Sequence, residues 1–530
     1  MRSISLGREL GAIAQVGRGL APPCKNIISM ERLPPTMLDE YEELIQRFLY
    51  EVEMETYLNA AGLREVVNTA AIFERYAGLF TEQRVRTLKN ASQNLDGEEK
   101  ERARRLYAVA CENYLENAVK TLTDKLHTQE ATEKVVIDEG KETTFRFLST
   151  LIQNEQDRTR RKKLYELELS VVKTLNAYHE PIIKAFHEKA RELGYANYLD
   201  MYKDLRHTDI CAIRDIMSGF LKRTEDIYVE LMNALLAKYS LDLDKLERHD
   251  ISYIFAGSQY DKYFPSSDML NVISAFTASL GMDITKLRGK ERNVILDVEH
   301  RPTKSPRAFV SAVDPPFEIY LVVMPQGGVS DYFTIFHETG HALHYAFELD
   351  TLPFVYKKLG SSAVSESYAF LLEYVLTNPG FASKFIPDNV LEEYIRFEML
   401  NKLYMLRRYA GKLNYEIILH TSNELEKMPE IYAEEMKKAL LFKHPPELFL
   451  ADIDNGFYTA EYLRAWIFEP MLRNKLIELY GENWFSNPDA GRYLRALWSV
   501  GEKHDVEELA KNINMEALNT KYLEEEFLNL

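Results

Sequence analysis

The sequence predicts a mostly α-helical fold with one small β-sheet placed directly before a histidine-bearing helix. Three observations carry that prediction. From about Leu38 to Leu246, apolar residues recur at three- and four-residue intervals with few internal Gly or Pro, the pattern of helices that bury one face. Between Asn293 and Met324 the pattern turns to β-branched and aromatic runs. After Met324 the helical spacing returns and holds to the C-terminus. No fixed-period repeat marks a solenoid.

Taken in order, residues 1–29 read as a flexible N-terminal extension with several Arg and one acid, a composition shared by organellar transit peptides. Residues 30–290 read as a helical lobe, in which "LDEYEELIQRFLYEVEMETYLNA" and "YELELSVVKTLNAYHEPIIKAFHEKARELG" are the clearest helices. Residues 291–530 read as a second lobe holding the site. Its opening "NVILDVE" is β-branched, and "AFVSAVDPPFEIYLVVM" forms two short strands around Asp314, Pro315 and Pro316. The sheet is thus expected at about 293–324. Gly327 and Gly328 end it, and Ser330 is the expected cap of the next helix.

A chain of 530 residues exceeds one simple core, and 46% hydrophobic with 28% charged residues is ordinary for a soluble globular protein. The net charge of −17 argues against a nucleic-acid partner, which needs a basic surface. No apolar run reaches the ~18 residues of a membrane span. Cys24, Cys111 and Cys211 are scattered and odd in number, which excludes a disulfide framework and fits a reducing compartment. A cytoplasmic location is therefore expected, with organellar import by residues 1–29 as the alternative.

The segment "FHETGHALHYAFE" carries the chemistry. His337 and His341, four residues apart, share one helix face. Glu338 lies about 100° round the helix, within reach of a water on a metal held by both. This is H-E-x-x-H, two zinc ligands with a general base between them. A third ligand must come from elsewhere. A metzincin would place His at 347, which is Phe347, so that subclass is excluded. A di-metal carboxylate bundle needs E-x-x-H twice, and only Glu338 and His341 satisfy it. The following helix, "SSAVSESYAFLLEYVLTNPG", ends near Pro379 and Gly380 and carries Glu366 and Glu373, seven apart on one face. An unpaired carboxylate in so apolar a helix is costly. The pair reads either as edge salt bridges or as a third ligand, Glu366, with Glu373 orienting a ligand histidine. His344, two turns beyond His337, is too far along the axis to share the metal and reads as a packing or hydrogen-bonding residue near the site.

With His337, Glu338, Gly340, His341 and His344 in the order H-E-x-G-H-x-x-H, the sequence resembles the zinc oligopeptidases of the thimet oligopeptidase and oligopeptidase F type. Glu366, twenty-five residues beyond His341, falls on that family's third ligand, and Glu373 on a further family Glu. "KSPRAFV" and "RELGYANYLDMY" look like family features as well. The resemblance implies two helical lobes enclosing a deep channel, one Zn²⁺ per chain, and short unfolded peptides as substrates. It also implies C-terminal tyrosines that steady the oxyanion, here Tyr458 and Tyr462 in "ADIDNGFYTAEYLRAWIFE". The chain departs from the pattern at Ile453, where the family has a histidine, at Ala465, where it has a tyrosine, and after Glu366, where Pro-Ser-Gln is absent. His444 is the candidate to replace the lost histidine. "YLRAW" is similar to a motif of the angiotensin-converting-enzyme group.

The expected activity is therefore zinc-dependent peptide hydrolysis, with Glu338 as base, His337, His341 and Glu366 as ligands, and Tyr458 and Tyr462 at the oxyanion. A dipeptidyl carboxypeptidase is the alternative mode, and a catalytically weak peptide-binding relative the non-enzyme alternative. Nothing in the sequence sets an oligomeric state.

Overall fold

The computed structural model describes residues 37–530 apart from Glu65, Pro302, Pro306, Glu516 and Ala517. The expected extension at 1–29 lies outside the described residues. Of the described residues 71% are helical and 5% lie in strands, mostly α as the periodicity requires. In the helix Met37–Ala60 the buried residues Leu38, Tyr41, Ile45 and Phe48 follow one another at three- and four-residue steps, which is how one face comes to be covered. The 35-residue helix Arg158–Glu192 starts on Asp157, whose carboxylate accepts from the Arg160 amide, and absorbs Pro181 inside its length.

Strands β1 (Lys134–Ile137) and β2 (Lys141–Thr144) form a hairpin in a region that periodicity assigns to helix. The short β-branched run "KVVI" and Gly140, at φ 90°, make the turn and override the helical surroundings. A second sheet lies where the sequence places it. It has β3 (Val294–Asp297), β4 (Phe309–Asp314) and β5 (Glu318–Val322) in the order β3-β5-β4, with β3 parallel and β4 antiparallel to β5.

Each face of this sheet is covered by a helix. On one face Tyr57 stacks on Tyr320 at 3.8 Å between ring centres, and Met54 and Leu58 join Phe309 and Val322 around them. On the same face the Ser311 hydroxyl donates to Glu53 at 2.7 Å. The other face packs on the helix Val329–Ala346. In β5, the Ile319 amide donates to Asn293 beside β3, so Ile319 and Leu321 turn their backbone groups toward β3. Their antiparallel partners Ala312 and Val310 therefore turn theirs away from β5, along an outer edge of β4.

The described chain groups into two compact units, each discontinuous in sequence. The first comprises Met1–Ala110 (described from Met37), Lys262–Pro387 and Arg464–Tyr522; the second comprises Cys111–Asp261, Asp388–Leu463 and Leu523–Leu530. The sequence reading cuts the chain into consecutive pieces at 290/291, whereas these units collect helices far apart along it. Among the described residues no helix is long and apolar enough to cross a membrane.

Candidate metal centre

The site is built in the first unit by two helices, Val329–Ala346 and Ser362–Glu373. The first begins at Gly328, whose φ of 94° suits glycine, and Ser330 lies inside its first turn instead of capping it. The Asp331 carboxylate accepts from the Gln326 and Gly327 amides at 2.8 and 2.9 Å and so ties the incoming chain to the helix start.

Gly340 decides how close the second helix comes. A Cβ there would stand 2.5 Å from the Ala369 Cα and 2.7 Å from the Tyr368 carbonyl oxygen, so only glycine lets the two backbones meet. Behind the second helix, Phe370 stacks on Trp466 at 4.6 Å, and the Trp466 indole donates to the Tyr374 phenol at 2.8 Å. The regular helix ends at Glu373, with a 3₁₀ turn over Tyr374–Thr377 carrying the chain toward Pro379.

This contact brings three of the expected ligand residues together. His337 Nε2 lies 3.2 Å from His341 Nε2 and 3.3 Å from Glu366 Oε2, and His341 Nε2 lies 3.6 Å from the same oxygen. Ligand atoms about 2.0–2.2 Å from a zinc ion at tetrahedral angles are themselves roughly 3.3–3.6 Å apart, so the donor set fits a zinc ion. Among the described residues His337, His341 and Glu366 form a group able to hold a metal. The outer nitrogens are engaged as such a role requires. His337 Nδ1 meets Glu373 Oε2 at 2.7 Å, and His341 Nδ1 meets Ser365 Oγ at 2.7 Å. With the Nδ1 proton given to Glu373, His337 turns a lone pair inward from Nε2. Ser365 is not legible as a site residue in the sequence. Its only signal is its place next to Glu366, and serine beside glutamate is too common to notice.

The electrostatics follow the geometry. Burial would raise the Glu366 carboxyl, but His341 and His337 hold it well below the usual carboxylate range. Burial would lower His337, and Glu366 and Glu373 overcome it and push it up. Glu338 is raised, chiefly by burial, with the two histidines opposing. The Val310 amide, on the outer edge of β4, also opposes the rise. His344 is fully buried and held down to about 3 by that burial, between the rings of Tyr345 and Tyr368, in keeping with a packing role.

Peptidase family M3 matches the chain over residues 151–528, well over half its length. The chain belongs to peptidase family M3. A search among curated proteins found no match. Family M3 membership makes the protein a metallopeptidase of the oligopeptidase type.

The other site residues expected of this M3 chain, Tyr458 and Tyr462, lie in the second unit. They begin the helix Tyr458–Tyr480 with their rings 4.9 Å apart, and Tyr409 stands edge-on to Tyr462 at 5.3 Å. The turn before them is left-handed at Gly456 and Phe457, with φ of 66° and 55°. It is pinned from three sides: the Gly456 amide donates to the Tyr198 phenol at 3.0 Å, Arg206 Nε donates to the Gly456 carbonyl at 2.7 Å, and the Asp454 amide and Thr459 hydroxyl donate to Glu416 at 2.8 Å each. His444 is buried in the same unit against the Phe442 ring, and burial drives it down to about 3.

Proposed function

We propose that this M3 peptidase is a zinc-dependent oligopeptidase that cuts short, unfolded peptides in the cytoplasm. The observation that carries the reading is the convergence of His337, His341 and Glu366 within one small tetrahedral frame, beside Glu338 and the outer edge of β4. Zinc, when bound by these three, supplies a Lewis acid that polarises the peptide carbonyl and lowers the pKa of a nucleophilic water. Glu338 takes the water's proton as it attacks and passes it to the departing amine. Glu373 fixes the tautomer and orientation of His337.

The phenols of Tyr458 and Tyr462 donate hydrogen bonds that strengthen as charge develops on the carbonyl oxygen. The peptide lies antiparallel along β4, pairing with the outward backbone groups of Val310. Backbone pairing makes no demand on sequence, which suits an enzyme for varied peptides.

The test is a digest of a mixed peptide pool by purified protein with and without chelator, read by mass spectrometry. Chelator-sensitive cutting supports the reading, and the fragments separate internal cuts from removal of C-terminal dipeptides. Glu338→Gln is expected to keep the metal while losing about 10²–10⁴-fold in rate. Cleavage that persists in Glu338→Gln would remove the base assignment. No cleavage by protein shown to hold stoichiometric zinc would favour a peptide-binding relative.

A further inference from the structure

The outer edge of β4 offers the N–H and C=O groups of Val310 and Ala312, and one of the four is already taken. The Ala312 carbonyl accepts from Lys358 Nζ at 2.5 Å. Lys358 comes from the short helix Phe354–Lys358, and its neighbour Lys357 donates to the backbone carbonyls of Pro315 and Asp350 at 3.1 Å each. Asp314 and Glu348 act on Lys358 from farther off.

In an antiparallel ladder one peptide residue exchanges both hydrogen bonds with one outward strand residue, and the next such pair lies two residues away on each chain. Moving from Val310 to Ala312 along β4 means moving toward the peptide's N-terminus. Lys358 Nζ therefore occupies the place of the peptide N–H that would complete the pair at Ala312. Sterics do not close this end of the strand. Beyond Ala312 it opens on a groove of about 760 Å³ lined in part by Tyr50, Val313, Asp314, Pro315, Lys357 and Lys358.

We propose that Lys358 is a specificity-determining residue that ends backbone pairing on β4 after Val310, so that the enzyme reads only a short peptide arm on the N-terminal side of the cut. The inference rests on the oligopeptidase reading with a peptide along β4.

The test uses peptides that share one C-terminal half and differ in the length of the N-terminal arm, cut by wild type, Lys358→Met and Lys358→Gln. In wild type, kcat/KM stops rising once the arm reaches the residue opposite Val310. In Lys358→Met, which frees the Ala312 carbonyl, the next two residues raise kcat/KM by about fivefold, the worth of one net hydrogen bond. Lys358→Gln still donates to that carbonyl and keeps the wild-type profile, which separates the hydrogen bond from the charge. The shortest peptides report any general damage, since their kcat/KM is expected to be equal in all three proteins. A shared arm-length profile for wild type and Lys358→Met, or a change in Lys358→Gln equal to that in Lys358→Met, overturns the inference alone. A wild type that cuts no peptide overturns the oligopeptidase reading and this inference with it.

Discussion

The helix pair that holds His337, His341 and Glu366 and the segment Asp454–Tyr462 both carry proposed catalytic groups, yet they are fixed in different ways. In the helix pair nearly every constraint is local. Two ligands sit one turn apart on one helix, the third sits on the helix that follows, and Gly340 lets the two backbones touch. In the tyrosine segment the constraints come from far along the chain. Tyr198, Arg206 and Glu416 each reach in to hold a turn that two left-handed residues have bent. Regular structure fixes the first region and a set of single hydrogen bonds fixes the second. Damage to the helix pair should thus remove metal and fold together, whereas damage to the tyrosine segment should slow the reaction and leave the metal in place.

The largest expected effect is that of Gly340→Ala. The added methyl meets backbone atoms of Ala369 and Tyr368, which cannot swing aside as a side chain would. We expect a cost of about 3 kcal/mol in stability, seen as a lowered Tm, together with loss of bound zinc on purification. A variant that keeps both its Tm and its zinc would show that the helices are not held at their observed separation.

Gly456→Ala probes the other region. Its Cβ would lie 2.7 Å from the Tyr202 ring, at a φ of 66° that alanine adopts only under strain. We expect the turn to shift and kcat to fall by about a hundredfold, the scale of losing one oxyanion donor, with zinc content unchanged. Loss of zinc in Gly456→Ala, measured by metal analysis, would erase the distinction between the two regions.

The same contrast explains what could be read in the sequence. His337, Glu338, His341, Glu366 and Glu373 are legible because helical period converts spacing into direction, and a buried carboxylate on an apolar helix face stands out. The sheet at 293–324 is legible because β-branched runs and the Asp314-Pro315-Pro316 turn interrupt that period. Ser365 is not, since a hydroxyl that meets a histidine only after two helices have packed leaves no trace in spacing. The β1–β2 hairpin is missed because eleven residues of strand and turn are outweighed by the helices on either side. The pinning of Gly456 by residues some 250 positions away is beyond any local pattern. The two units, assembled from interleaved segments, escape a linear reading for the same reason.

Within the helix pair, the partners of the two histidines sharpen the comparison. His337 rests on a carboxylate, Glu373, and His341 on a hydroxyl, Ser365. A carboxylate makes imidazole the stronger ligand. Glu373→Gln is therefore expected to weaken zinc binding by about 10–100-fold, and Ser365→Ala by less, in competition with a chromogenic chelator. An equal or larger loss in Ser365→Ala would reverse the ranking of the two histidines.

The smallest effect is expected from the acid that pins the tyrosine segment. Glu416 is fully buried, with Oε1 accepting from Asp454 and Thr459 and Oε2 without a partner. Burial raises its pKa to about 8, with Lys412 opposing and Asp454 adding to the rise. The folded protein then binds more protons than the unfolded chain between the ordinary carboxyl value and about 8. Stability from this group is fully present below the ordinary value and is lost as pH rises through 8. Glu416→Gln keeps an acceptor oxygen for Asp454 and Thr459 but cannot ionise. Its Tm should therefore fall less steeply than that of wild type from pH 5 to pH 8, about the span between the two values. Parallel Tm curves for the two proteins would mean that Glu416 is already ionised in the folded state and that Lys412 governs it more than burial does.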